Sequence, residues 1–392
     1  VLYLKNFLVL DSTDASLHAA LGNLLYGRKE FDGALDAYRK ARTLDPKLKG
    51  FYRGYADIVL DRKLHDEAVE VITGAIKLGE ATPRMRIALG DIYRSRKDYD
   101  KAIEMYEKAL EKEGGNVAVL RSLGESRAAA GQTAEAALTF EQIVVLQPKA
   151  SKDYKRLGEL RMKLGKKKEG IEAYRKYLTA EPSDERVAKT IGLFEHEKKR
   201  YDSAIKYLAM VKSDDLRDVE FFVAQGESYR AAGDCKKASE ALAAARAKGA
   251  SNEVLKRILK PLAQCYRKLG RESEAAEAYE AYTALPGIED AEASYLKAFL
   301  REKTDKAAAV KIYEANTKRF PRDPRNFLRL GILYSADPSK RPDAADALEK
   351  VVELEDTVAA AWEKLGEVYG HLDNEDKELA AYRRLLTLEP QH

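Results

Sequence analysis

The stretch LGDIYRSRKDYDKAIEMYEKAL, residues 89–110, holds the pattern that settles the fold. Gly90 precedes Ala102 by twelve residues and Tyr106 by sixteen, and charged side chains fill most of the other places. Nothing in it resembles an activated nucleophile, a metal-ligand set or a phosphate-binding loop. Small and large side chains at fixed gaps, with no reactive group among them, read as a packing instruction.

The gaps recur. Gly22, Ala56, Gly90, Gly124, Gly158, Gly192 and Gly226 stand 34 residues apart without an insertion. Twelve residues after each comes another small one: Ala34, Ala68, Ala102, Ala136, Gly170, Ala204 and Ala238. Four further on is a large apolar side chain: Tyr38, Ile72, Tyr106, Phe140, Tyr174, Leu208 and Leu242. Pro46, Pro148 and Pro182 follow eight residues later in three of the repeats. Beyond residue 252 three residues intervene, and the pattern resumes with Ala263, Ala275 and Tyr279. A ninth repeat has Lys297, Ala309, Tyr313 and Pro321, and a tenth has Gly331, Ala344 and Leu348 with one extra residue in SADPSKRPDA. Trp362, Gly366, Tyr382 and Pro390 mark an eleventh. The expected organisation is therefore the second helix of a truncated repeat over 1–14, seven gap-free repeats over 15–252, and four more with small insertions over 253–392.

Each repeat reads as two helices. In the third, residues 84–96 place Ile87, Leu89 and Tyr93 at a helical period, KDYD (97–100) is the turn, and residues 100–112 place Ile103, Tyr106, Ala109 and Leu110 on one face. EGG (113–115) is expected to stop the second helix through a left-handed glycine cap, and LDP or LEP stops it elsewhere because proline cannot continue a helix. The small residues let the paired helices approach, and the large apolar one fills the space beside the contact. Lys297 in the ninth repeat and Glu378 in the eleventh stand where a small residue is expected, which predicts looser pairing there. One helix pair cannot bury its apolar face, so neighbouring pairs must stack.

The pattern resembles the tetratricopeptide repeat, W-x2-L-G-x2-Y, then A-x3-F, then P, over 34 residues. WEKLGEVY (362–369) matches its first half outright, and the likeness covers residues 15–392. The resemblance implies an all-α fold, a right-handed superhelix (an α-solenoid) of helix-turn-helix repeats. It also implies a concave face lined by the first helices, with positions 2, 5, 9, 12 and 13 of each repeat pointing inward.

Composition agrees with packed, charged helices: of 392 residues 45% are hydrophobic and 34% charged, too apolar for a disordered chain. The net charge of +4 is small for this length and demands neither nucleic acid nor an anionic membrane. No apolar run approaches a membrane span. The opening VLYLKNFLVLD has no initiating Met, and the sequence is silent on export. The five histidines, His18, His65, His196, His371 and His392, fall in different repeats and never at i, i+4. GKKKEG (165–170) lacks the spacing of a phosphate loop, and no G-x-S-x-G or G-x-G-x-x-G is present. These readings predict a non-catalytic chain with no cofactor and no metal.

At the expected inward positions of repeats three to eight stand Arg84, Arg94, Arg121, Lys152, Lys155, Lys163, Arg186, Lys189, Arg230, Arg257, Lys260, Arg267 and Lys268. The acids at the same positions are Asp91, Glu125, Glu159, Glu197, Glu220 and Glu227. Positive charge is thus concentrated on the expected groove, which predicts a protein or peptide partner of acidic character, since arginine favours bidentate carboxylate contacts. Pairs such as Arg121 with Glu125, spaced i, i+4, offer the competing reading of a self-neutralised solvated face. Stacking aromatics and a regular polar code for nucleic acid are missing.

Cys235 begins the second helix of the seventh repeat and Cys265 lies late in the first helix of the eighth, so they are a candidate disulfide; two half-buried thiols are the other reading. A bond there would argue for an oxidising compartment such as a bacterial periplasm or cell envelope rather than the cytoplasm. The expected function is an interaction scaffold, by resemblance in a bacterial multiprotein assembly. The alternatives are a docking region of a larger enzyme and a homo-oligomer assembled through uncapped terminal repeats.

Overall fold

The computed structural model describes all residues except 5, 7–10 and 113. Among the described residues every regular element is helical, and within each compact unit successive helices pack against one another. The third repeat forms Pro83–Ser95 and Tyr99–Leu110, within two residues of the expected bounds. The chain divides into two compact units, Val1–Asp184 and Glu185–His392, and each is an all-α solenoid of helix-turn-helix repeats. Residues 2–4 and 6 are helical and residues 11–14 are turn rather than helix, while residues 5 and 7–10 of the helix expected over 1–14 lie outside the described residues.

Close approach of paired helices is visible atom by atom. A Cβ on Gly90 would stand 2.7 Å from Tyr106 Cε1, and one on Gly124 2.8 Å from Phe140 Cε2. Both distances are far inside van der Waals contact, so only hydrogen fits between backbone and ring. Tyr106 and Phe140 are in turn buried, as are Ala102 and Ala136. The Tyr106 hydroxyl donates to Asp91 Oδ1 at 2.7 Å and the Tyr38 hydroxyl to Asn23 Oδ1 at 2.9 Å, so position 9 serves the helix pair itself.

The turn between paired helices carries a residue in the left-handed region at one recurring place. It is Gly131 (φ 83°), Gly165 (φ 73°) and Gly233 (φ 84°) in some repeats and Lys97 (φ 62°) or Lys199 (φ 57°) in others. The glycine stop after Leu110 works differently from expectation. Neither Gly114 nor Gly115 is left-handed, Glu111 ends the helix in right-handed geometry, and Glu113 lies outside the described residues.

Insertions are absorbed without losing phase. The three residues added after position 252 lengthen a helix, Asn252–Lys268, by about one turn, and Pro261 sits inside it. The extra residue of the tenth repeat is taken up by a short 3-10 turn, Pro338–Lys340. In the ninth repeat Ala298 is fully buried in one cluster with Ala309 and Tyr313, while Lys297 is half-buried beside it. The turn after Glu302 lacks the left-handed residue, and the register shifts by one, so the alanine supplies the small contact and the lysine does not hold the helices apart. At the other doubtful place, Tyr382 still packs on Gly366, with Cζ 2.5 Å from a Cβ built there, and Glu378 lies beside Gly370.

Candidate functional site: a charge ladder along the first helices

The helices that carry the expected inward positions are held together by ion pairs that repeat with the chain. In the N-terminal unit Arg121 binds Asp153 with both nitrogens, Nε at 2.9 Å and Nη2 at 2.8 Å. Asp153 is buried, and its repeat is the next one along. Lys155 donates to Asp184 Oδ2 at 2.7 Å while its ammonium lies 5.3 Å from the Tyr177 ring centre, and the Tyr177 hydroxyl reaches the same carboxylate oxygen at 2.9 Å. Arg84 reaches back to Asp57 at 3.5 Å, and Arg94 meets Asp91 on its own helix at 3.5 Å.

The C-terminal unit repeats the arrangement. Lys189 donates to Asp218 Oδ2 at 2.6 Å, and Lys260 to Asp290 Oδ2 at 2.7 Å with Glu292 at 3.2 Å. Each aspartate uses its other oxygen to cap a helix: the Phe221 amide donates to Asp218 Oδ1 at 2.9 Å and the Ala293 amide to Asp290 Oδ1 at 2.9 Å. One carboxylate therefore satisfies an orphan amide of its own helix and anchors the lysine of the preceding repeat. Burial alone would push the Asp218 and Asp290 carboxyls up; the lysine and amide hydrogen bonds outweigh it and hold both below the ordinary aspartate range. Arg257 reaches back to Glu227 at 2.7 Å, and His196 Nε2 lies 3.1 Å from the same residue.

Two rules emerge. A cation at position 5 pairs with an acid at the start of the next first helix, and at position 2 Arg84 and Arg257, but not Lys152 or Arg186, pair with position 9 of the preceding repeat. The first rule escaped the sequence reading because Asp153, Asp184, Asp218 and Asp290 stand outside the positions counted there. Arg156 escaped it too. It binds Glu125 through Nε at 3.0 Å and Nη2 at 2.8 Å, and Glu159 through Nη1 at 2.9 Å. The i, i+4 pairing of Arg121 with Glu125 is thereby replaced by pairs between repeats.

Among the described residues six of the expected groove cations have no carboxylate partner: Lys152 and Lys163 in the N-terminal unit, and Arg186, Arg230, Arg267 and Lys268 in the C-terminal unit. All six are exposed. Arg230 and Arg267 line one cavity of about 390 Å³ together with Lys268, Gln264, Cys235 and Cys265. Both cysteines are free thiols here, Cys235 half-exposed and Cys265 buried. Burial, together with the hydrogen bond and charge of Cys235, pushes the Cys265 thiol up to about 12. Among the described residues no helix is long and apolar enough to cross a membrane, and no group of three or more His, Cys, Asp or Glu is placed to hold a metal ion.

Known proteins place these features in a family. Three sequence models, each of the tetratricopeptide repeat, match residues 15–48, residues 93–160, and residues 155–215, 223–287 and 339–392. No curated protein sequence matches. Among solved structures the chain is similar to YrrB, described as a TPR protein with an unusual peptide-binding site, at 19% identity over 46% of this chain and 93% of that one (TM-score 0.38). It is similar to a tetratricopeptide repeat protein from Parabacteroides merdae at 15% identity over 64% and 97% (TM-score 0.34), and to Naa15/Naa10 bound to HypK-THB at 13% identity over 96% and 64% (TM-score 0.44). With its recurring helix pairs and glycine contacts, the chain belongs to the tetratricopeptide repeat family.

Proposed function

We propose that this chain is a non-catalytic scaffold that holds an acidic protein or peptide segment along its first helices. The observation that carries the reading is the division of labour among cations. Those at position 5 are consumed in joining repeat to repeat, whereas Lys152, Lys163, Arg186, Arg230, Arg267 and Lys268 face solvent without a carboxylate among the described residues. Exposed cations on a surface otherwise neutralised by its own acids attract carboxylates from outside, and arginine supports bidentate pairing. A setting in a bacterial multiprotein assembly is part of the proposal and rests on the family resemblance.

The ladder dictates which residues test it. Reversing Lys155, Lys189 or Lys260 would break contacts between repeats and confound binding with stability. Reversing Lys152 and Lys163 in one variant, and Arg186, Arg230 and Arg267 in another, leaves the ladder whole. Fluorescence polarisation with a labelled glutamate-rich peptide is the measurement. We expect salt-sensitive binding that weakens about tenfold or more in the reversed variants with unchanged helicity. Binding that ignores both salt and the reversals would reject the acidic partner.

A further inference from the structure

We propose that the cavity lined by Cys235, Cys265, Arg230, Gln264, Arg267 and Lys268 is a thiol–disulfide exchange site selective for small anionic disulfides. Its product is an intramolecular Cys235–Cys265 bond. The inference stands apart from partner binding, because its readout is covalent chemistry on two cysteines.

Three observations support it. First, the two thiols come from different repeats yet line one cavity. Cys235 is the first residue of the Cys235–Ala247 helix and Cys265 lies in Asn252–Lys268. Second, exposure divides their roles. Half-exposed Cys235 is open to an incoming disulfide, and buried Cys265 is not. Third, Arg230, Arg267 and Lys268 converge on this cavity without a carboxylate partner among the described residues, although Arg257 and Lys260, on the same helix as Arg267 and Lys268, are paired. Three unneutralised cations around two thiols select a ligand that brings both a disulfide and carboxylates. The volume, about 390 Å³, suits a small molecule.

The chemistry balances without a further reagent. The Cys235 thiolate attacks one sulfur of RS–SR; the Cys235–S–S–R bond forms, and RS⁻ departs and takes up the proton that Cys235 gave away. Cys265 sulfur then attacks Cys235 sulfur and expels the second RS⁻, which takes up the Cys265 proton. The protein dithiol loses two electrons, and RS–SR is reduced to two RSH. Capture of Cys235 in the mixed disulfide also removes its hydrogen bond and charge from Cys265, two of the causes that keep the buried thiol protonated. The finished bond ties the second helix of one repeat to the first helix of the next.

The test uses the reduced full chain and two probes, oxidised glutathione, which is anionic, and cystamine, which is cationic. Free-thiol titration follows the rate, and peptide mass mapping identifies the bond. We expect both thiols to be lost with a Cys235–Cys265 link, and oxidised glutathione to react about tenfold faster than cystamine at low salt. Cys265→Ser should stop at a mixed disulfide on Cys235, and Arg230→Glu with Lys268→Glu should invert the preference between probes. The wild-type rate ratio alone is decisive should a variant fold poorly. Equal rates with the two probes, or mixed disulfides with no internal bond, would overturn the proposal.

Discussion

At the scale of single residues, the small side chain in each first helix is fixed by the ring or branched chain opposite. Gly124 leaves Phe140 no room for even one added carbon, with 2.8 Å to Cε2. Gly124→Leu should therefore cost about 1–3 kcal/mol or more through overpacking. The midpoint of urea unfolding followed by circular dichroism checks this, and an unchanged midpoint would mean that the pair is looser than described. The glycine pattern was legible in the sequence because a steric rule leaves a residue-type trace. The one-residue shift at Lys297 and Ala298 was not legible, because it depends on how the following turn closes.

At the scale of helices, the ladder joins first helices of neighbouring repeats within each unit, and Glu227 is a junction of two rungs. Burial alone would raise its carboxyl; the His196 hydrogen bond and the Arg257 charge outweigh burial and hold it below the ordinary glutamate value of 4.5. A carboxylate depressed in the folded state adds stability that is present in full above pH 4.5 and is lost as pH falls through the folded value. Glu227→Gln should thus destabilise the chain by about 1 kcal/mol at pH 7, discounted for partial exposure, and the gap to wild type should narrow as pH drops below about 4. Denaturant midpoints of the two proteins across pH 3–7 measure it; a gap independent of pH would contradict the assignment.

At the scale of the whole molecule, contacts run between neighbours in sequence, so stability is close to a sum over repeats and their interfaces. The unit Val1–Asp184 contains its own helix pairs, buried aromatic cluster and ladder rungs. A fragment covering residues 1–184 should keep helicity per residue close to that of the full chain, read by far-ultraviolet circular dichroism. A fragment that is largely unfolded would show that its stability is not local.

The 34-residue spacing by itself determined that this chain is a stack of helix pairs, because close packing restricts residue type at the same place in every turn of the pattern. It also marked the cations of the first helices. Which of those cations are free was decided only by tertiary structure. The acids that neutralise Arg121, Lys155, Lys189 and Lys260 lie 29 to 32 residues away, and no spacing within one helix reveals them. The meeting of Cys235 and Cys265 in one cavity belongs with them, since charge and thiol chemistry depend on distances through space that the chain sets only when its repeats are stacked.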